Sequence, residues 1–195
     1  MDATLFQVDA LCEARTIELA DLPALQAFFD ANPAYHEFAY GEPPPANEAQ
    51  REWQDRPPAG MPYESAQLIQ FLGADVSMQA MASVVRGFFA PAVWHLGLFI
   101  VATSLHGSGR AQAIYAALER WMREQGAQWL RLGVIIGNAR GEPFWLRQGF
   151  QELRQRGPAD YGRRSHMLRV LMKPLNGGSV ADYLALVARD RPDAP

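Results

Sequence analysis

A glycine-rich loop between a strand-like run and a patterned helix is the feature that most constrains the fold of this sequence. The loop reads His106-Gly107-Ser108-Gly109-Arg110-Ala111 and follows the apolar run 94–101. Because glycine has no Cβ, its backbone can adopt positive φ and approach a ligand closely. A helix that follows such a loop presents N–H groups and its positive dipole end to an anion. The pattern predicts either a phosphate-binding loop or an ordinary strand-to-helix turn.

The residues after the loop predict a helix, a buried strand and a second, shorter helix. Apolar residues recur at helical spacing over 111–125, and Gly126 is a typical helix stop. The run 129–136 is almost continuously apolar, as in a central strand, and a short helix is expected over 140–148. The predicted inner face of the first helix holds Ala111, Ile114, Tyr115, Leu118, Trp121 and Met122. Strand, loop, helix and strand in this order indicate an α/β domain.

The residues before the loop predict three consecutive strands, 66–72, 78–88 and 93–101, which form an antiparallel meander. The other predicted elements are a strand over 15–20, a helix from Asp21 with Pro23 in its first turn, a helix over 48–55, strands over 150–156 and 166–173, and a last helix capped by Ser179. Together they predict an α/β fold with a mixed, mostly antiparallel central sheet and helices on both faces.

Two signatures in this unit resemble those of the GNAT acyltransferase superfamily. The acyl-CoA loop pattern Gln/Arg-x-x-Gly-x-Gly/Ala here reads His106 to Ala111. The second pattern, Asn-x-x-Ala-x-x-Phe-Tyr followed by Gly-Phe, here runs from Asn138 through Phe144-Trp145 to Gly149-Phe150. The resemblance covers residues 94–150, and the flanks match only in element order. It implies a GNAT-like fold and acetyl-CoA, or another acyl-CoA, as cosubstrate.

Three residues depart from the family patterns. His106 stands where glutamine or arginine is usual, and Gly141 stands where alanine is usual. Trp145 stands where the family often has a tyrosine, the usual acid that protonates the leaving thiolate. An indole N–H cannot do this. The cofactor assignment therefore survives these changes, whereas the usual acid assignment does not.

The resemblance also implies which residues hold the cofactor. The end of the strand before the loop would offer backbone groups to the pantetheine and the thioester oxygen, and the loop would hold the pyrophosphate. Asn138 is expected on the cofactor side, with the capping of a turn as the alternative. The implied residues are Phe99, Ile100, Val101, Ala102, His106, Gly107, Ser108, Gly109, Arg110, Ala111, Asn138, Phe144 and Trp145.

The general base has no obvious candidate, because the family's frequent carboxylate on the strand before the loop would fall near Gly97. His95 lies two residues earlier on the same face of the strand. An ordinary histidine pKa near ~6.5 suits deprotonation of an ammonium at neutral pH. His166 on the last strand is the second candidate. For both residues the alternative is a histidine that lines the pocket or bonds to a neighbour.

Composition indicates a packed globular domain that does not depend on disulfides. The 195 residues are 49% hydrophobic and 20% charged, with a net charge of −3 and one cysteine, Cys12. We expect a single domain over 1–175. The Pro-rich segment 35–63 is a long connection, and the family resemblance implies that it walls the acceptor pocket. A linker, a helix and a frayed tail are expected over 176–195. That helix must bury Tyr183, Leu184 and Val187, either within the domain or in a homodimer.

The resemblance and these observations predict an acyl-CoA-dependent N-acyltransferase. It would transfer acetyl from acetyl-CoA to a primary amine of a small molecule or a protein, and the amine would attack the thioester directly. The alternative is a non-catalytic acyl-CoA-binding or regulatory module. A nucleotide-binding domain is disfavoured because no Gly-Lys-Ser/Thr ending follows the loop. No nucleic-acid partner is expected without a long basic run, nor a metal without ligand spacing. The absence of a basic leader and of a long apolar run predicts a cytoplasmic protein without membrane contact.

Overall fold

Eight strands form one mixed sheet in the computed structural model, which describes residues 4–194. The strands are β1 (Thr4–Asp9), β2 (Cys12–Thr16), β3 (Ser65–Gly73), β4 (Met78–Arg86), β5 (Val93–Val101), β6 (Trp129–Ile135), β7 (Gln151–Tyr161) and β8 (Arg164–Pro174). Their order across the sheet is β1-β2-β3-β4-β5-β6-β8-β7. Neighbouring strands are antiparallel except β5 and β6, which run parallel. The predicted mixed, mostly antiparallel sheet is confirmed.

Helices flank this sheet on both faces. They are α1 (Leu22–Ala31), α2 (Ala34–Tyr40), α3 (Glu48–Gln54), α4 (Arg110–Glu124), α5 (Gly141–Arg147) and α6 (Val180–Leu186). A parallel strand pair requires a crossover connection, and α4 provides it between β5 and β6. Within residues 4–194, no helix combines the length and the apolar character that a membrane span requires.

The largest buried cluster lies between the sheet and α4. Ile114, Leu118 and Met122 of α4 are fully buried and pack in one cluster with Trp94 and Leu96 of β5. The helical spacing of the apolar residues, three and four apart, places them on one face toward the sheet. The predicted amphipathic helix is therefore confirmed.

The opposite face carries two separate clusters. At one end, Phe29 of α1 and Ala49 of α3 pack with Met81 of β4. At the other end, Tyr183 of α6 packs with Val93 and Trp129. Successive strand residues point to opposite faces, so β5 contributes residues to the clusters on both faces of the sheet.

The middle of this second face is open. Gly97 of β5 and Gly133 of β6 are both exposed, and they lie between the two clusters. An open strip therefore crosses the sheet where β5 and β6 meet.

Two elements near the N-terminus differ from the sequence-based expectation. Instead of a first strand over 15–20, the chain forms a hairpin of β1 and β2 that ends at Thr16. The apolar residues of β1 pack at the edge of the core, as the stacking of Phe6 on Trp121 shows. Helix α2 was not expected, because the Pro-rich composition of its surroundings suggested an irregular connection. Pro33 only precedes its first turn, a position that helices tolerate.

The C-terminal segment is held against the domain. Ser179 caps α6 in a capping box with Asp182, as expected. Tyr183 and Val187 are buried against the chain's own sheet. The domain itself thus buries the apolar face of α6, and the homodimer stays a prediction without that support. The expected fraying from residue 189 is wrong as far as Asp190, which is fully buried; Pro195 lies outside the described residues.

Candidate functional site

The loop between β5 and α4 has the geometry of an anion cradle. Gly107 and Gly109 adopt left-handed conformations, with φ of 80° and 83°. Such angles favour glycine, and Gly109 is the residue that caps α4. No acceptor within residues 4–194 bonds the N–H groups of these two glycines. A Cβ built on either would meet no atom within 4 Å, so the space above the loop is open to a pyrophosphate.

A cationic side chain from the second family signature, Arg140, reaches the loop. The guanidinium of Arg140, just before α5, donates from Nη1 to Nδ1 of His106 at 2.6 Å. His106 Nε2 donates to the carbonyl of Val101 at 3.0 Å. In this arrangement Nδ1 of His106 is the acceptor and Nε2 is the donor. The two signatures therefore meet in space, and an exposed positive charge stands beside the loop.

The side chain of Arg110 points away from the loop. It forms an ion pair with Asp9 at the end of β1 and donates to Oε1 of Gln79 at 2.7 Å. The pKa of Asp9 is lowered, chiefly by its hydrogen bond from Arg110. Arg110 thus ties the N-terminal hairpin to the first turn of α4. Its predicted role toward the cofactor stays a prediction, for which only its backbone faces the loop.

Strands β5 and β6 separate next to the loop. They pair only from Val93–Trp129 to Leu96–Leu132, after which β5 pairs with β4 alone and β6 with β8 alone. A gap therefore opens between residues 97–101 of β5 and residues 133–135 of β6. Backbone groups that face such a gap can bond a ligand, as the family resemblance implies for Phe99 to Val101.

Ala102, predicted with them, is less able to bind. Its N–H donates to the carbonyl of Gln79 at 2.8 Å, and its carbonyl accepts from Leu105 at 2.9 Å. The following N–H, of Thr103, donates to Oδ1 of Asn32 at 2.6 Å. Both backbone groups of Ala102 are thus already engaged, so the gap ends at Val101.

The second signature builds the wall of the gap. Oδ1 of Asn138 accepts from the N–H of Gly141, the first residue of α5, at 2.8 Å; its role toward the cofactor stays a prediction. A Cβ at Gly141 would lie 2.7 Å from Asn138 Nδ2. Glycine, in place of the alanine usual in the family, therefore suits this turn. Phe144 stacks on Phe99 of β5 with a centroid separation of 6.1 Å. Their rings bring α5 against the gap.

Trp145, in the position of the family's usual tyrosine, belongs to the core. It is 8% exposed and packs edge-on against Tyr115 and Phe150. A ring in this position can shape the cofactor side only through packing. Its predicted contact with the cofactor stays a prediction.

His95 lies on the open face near the C-terminal segment. Its ring stacks on Phe88 at 4.8 Å, and Arg131 Nη1 lies 3.4 Å from its Nδ1. Burial and the Arg131 guanidinium lower the pKa of His95 to about 3. An imidazole with this pKa is a weak proton acceptor at neutral pH. The assignment of His95 as base stays a prediction, but its surroundings oppose it.

His166 ties β8 to α2. Its Nε2 donates to the carbonyl of Ala39 in α2 at 2.8 Å, and its ring stacks on Phe38. Arg164 Nη1 donates to the carbonyl of Phe38 at 2.8 Å. The β7–β8 hairpin and α2 thus form one wall. His166 thus bonds to a neighbour, as the alternative to a catalytic role expected. Its role as general base stays a prediction.

Sequence reasoning missed a carboxylate on the open face. Glu52 of α3 is half-buried beside Ser83 of β4. Burial, reinforced by the charges of Asp55 and Glu48, raises the pKa of Glu52 to about 7. No motif marks Glu52, since its surroundings in sequence only indicate a short helix. Arg140 was missed as well, although it lies inside the second signature.

A separate cleft lies outside the gap between β5 and β6. It has a volume of about 720 Å³ and separates α1 from residues 102–105. Its lining includes Arg15, Asn32 and Gln79 but neither Gly97 nor Glu52. The loop and the open strip meet at the gap and not at this cleft. In the part of the chain that the structure describes, no three metal-ligating side chains cluster together.

Comparisons with known proteins identify relatives of this architecture. The sequence model of the Acetyltransferase (GNAT) family matches residues 25–150. Among solved structures, the ribosomal-protein-S18-alanine N-acetyltransferase from Escherichia coli has a TM-score of 0.63 at 16% identity, over 87% of this chain and 97% of that one. An acetyltransferase from Thermus thermophilus has a TM-score of 0.67 at 18% identity, over 89% and 100%.

A further similar structure is that of spermidine N-acetyltransferase from Vibrio cholerae, solved in complex with CoA and spermine. Its TM-score is 0.62 at 13% identity, over 85% of this chain and 96% of that one. At these identities the likeness shows the shared fold alone. A comparison with curated protein sequences found no match.

Proposed function

Because this chain belongs to the acetyltransferase (GNAT) family and is a transferase enzyme, we propose that it moves the acetyl group of acetyl-CoA to a primary amine of a small molecule or a protein. The observation that carries this proposal is the open loop with Gly107 and Gly109 in left-handed conformations, directly beside the gap between β5 and β6. Acetyl-CoA supplies an activated thioester, and every other requirement falls to the residues of the chain.

The loop supports binding of the pyrophosphate by its N–H groups, the dipole of α4 and the nearby charge of Arg140. The unpaired edge of β5 would hold the pantetheine, and an N–H group within Phe99–Val101 would polarise the thioester oxygen. The amine would enter from the other face, over the exposed Gly97, so that it attacks the carbonyl directly.

The acceptor class is a proposal drawn from the open face and from similar proteins. One similar structure is a ribosomal-protein-S18-alanine N-acetyltransferase and another is a spermidine N-acetyltransferase, so the same fold serves protein and small amines. Both classes therefore belong in the test. A cytoplasmic location and a homodimer are part of the same proposal.

The test is a thiol-release assay with acetyl-CoA and a panel of amines that includes polyamines, amino acids and peptides with free N-termini. We expect at least one amine to accelerate thiol release, with the acetylated amine identified by mass spectrometry. Calorimetric titration with CoA serves as the control for cofactor binding. Tight CoA binding without turnover on any amine would instead support the acyl-CoA-binding module.

A further inference from the structure

Helix α3 brings the carboxylate of Glu52 to the open face of the sheet. Ala49 and Trp53 of this helix pack against the sheet near Leu98 of β5. Glu52 lies on the same side, because it is three residues after Ala49 in the helix. Within residues 4–194, no arginine, lysine or histidine forms an ion pair with Glu52; its charged neighbours are Glu48 and Asp55.

The floor beneath Glu52 is the place where β5 loses its regular pairing. The hydroxyl of Ser83 is near enough to the Glu52 carboxylate to favour its ionised form. Ser83 pairs with Leu98, while the next β4 residue, Val84, pairs with Leu96, so Gly97 is skipped in the register. A Cβ on Gly97 would lie 3.4 Å from Ser83 Oγ. The carboxylate therefore sits close to the exposed Gly97, at the edge of the gap.

This position compensates for a missing side chain. The family resemblance places a carboxylate near residue 97, and glycine cannot supply one. Glu52 approaches the same region from α3, with Ser83 between them. An ammonium that enters over Gly97 would meet an anion there, whereas His95 presents a ring held between Phe88 and Arg131.

We propose that Glu52 is the general base that accepts a proton from the acceptor ammonium. The inference rests on the proposed acetyl transfer. Glu52 takes one proton, and the freed amine lone pair forms the N–C bond at the thioester carbonyl. The C–S bond then breaks, and the thiolate receives the second proton that the nitrogen sheds. The products are the amide and CoA thiol, and Glu52 returns its proton to solvent.

The electrostatics of the pocket suit this role. With its pKa raised to about 7, chiefly by burial, Glu52 is a stronger base than an ordinary carboxylate and is still ionised in part at neutral pH. The groups that face it are Glu48 and Asp55 from its own segment, Tyr35 and Tyr40 from α2, and the Ser83 hydroxyl. Burial raises the pKa of Tyr40 to about 12, so it is neutral when Glu52 titrates.

Glu52→Gln tests the proposal with the amine that wild type acetylates best. We expect kcat/KM for the amine to fall about 100-fold or more, and the rise in wild-type rate through pH 7 to disappear. The affinity for CoA should stay within about two-fold, because the loop is untouched. Glu37→Gln, on the exposed side of α2, is the matched control and should keep the wild-type rate and pH profile.

The outcomes separate the inference from the function beneath it. An active wild type with an unchanged Glu52→Gln rate and pH profile overturns the role of Glu52 and leaves acetyl transfer standing. An inactive wild type that binds CoA overturns both. If Glu52→Gln does not fold, Glu52→Asp, which keeps the charge but withdraws it by one methylene, replaces it. If kcat of Glu52→Asp falls about ten-fold or more while the rate still rises through pH 7, the role of Glu52 as base is supported. An unchanged kcat overturns that role.

Discussion

Arg131 in the middle of β6 and Asp190 near the C-terminus form a doubly hydrogen-bonded ion pair. Arg131 Nε donates to Oδ2 at 2.7 Å and Nη2 to Oδ1 at 2.9 Å. The hydroxyl of Tyr183 donates to the same carboxylate at 2.7 Å. Since Asp190 is fully buried, this network closes one end of the open face and anchors the segment after α6.

Asp190→Asn should strongly destabilise the fold, because it leaves the Arg131 guanidinium buried without a counter-charge. Loss of one member of a buried pair costs about 3–5 kcal/mol. Urea unfolding at pH 7 measures this change in the free energy of unfolding. Asp193→Asn, at an exposed position in the same segment, should change it by less than about 0.5 kcal/mol.

The ion pair of Arg131 and Asp190 should also make the free energy of unfolding depend on pH in the acid range. Burial alone would raise the pKa of Asp190, but the hydrogen bonds from Arg131 and Tyr183 outweigh it and lower the pKa. An unfolded aspartate titrates near ~3.9, so the stabilisation is complete above that pH and is lost as pH falls through the lower folded pKa. Unfolding curves measured from pH 6 to pH 2 should show that the free energy of unfolding falls less with acid in Asp190→Asn than in wild type. Equal slopes would contradict the assignment.

Gly109→Val should weaken CoA binding by about ten-fold or more, at least ~1.4 kcal/mol. Valine at φ of 83° is strained, and its side chain would fill the open space that the pyrophosphate needs. Gly177→Val is the matched control, since Gly177 has φ of 76° and equally open surroundings but lies in the linker before α6. Calorimetric titration compares them. Equal affinity in two folded variants would make the loop an ordinary turn.

His106→Gln and Arg140→Gln should differ in their effect on CoA. Glutamine restores the common family residue and can still accept from Arg140, so affinity should be preserved. Removal of the Arg140 charge should weaken CoA binding by up to about five-fold, as exposed charge pairs contribute ~0.2–1 kcal/mol. The loss should shrink at high salt. Arg147→Gln, at an exposed position later in α5, should leave affinity unchanged in the same titration.

Asp55→Asn should move the ascending limb of the pH–rate profile to lower pH. After burial, the charge of Asp55 is the largest cause of the raised pKa of Glu52, so its removal eases ionisation of Glu52. The profile of kcat/KM for the amine, from pH 5 to pH 9, measures the limb. Asp193→Asn should leave it in place. A limb that does not move would indicate that another group titrates there.

Much of this protein was readable from local patterns. The helical spacing of Ile114, Leu118 and Met122 predicted α4 and its buried face, since periodicity reports directly which side of a helix meets the sheet. The glycines at 107 and 109 predicted a loop that needs positive φ, and both residues have it. These features depend on residues close in sequence, and the sequence alone therefore determined the loop, its helix and the class of fold.

Tertiary structure decided how distant residues meet at the site. Arg140 reaches His106 only because the parallel pairing of β5 and β6 sets α5 beside the loop. His95 has an ordinary sequence context, and its low pKa arises from burial and from Arg131, its partner on the neighbouring strand β6.

Glu52 illustrates the same limit most clearly. Its titration depends on burial against β4 and on charges that the turns of α3 bring near, and no spacing in the sequence encodes that burial. Solvation and electrostatic energies depend on distances in space, so the candidate chemistry emerged only when the sheet and its helices had brought these side chains together.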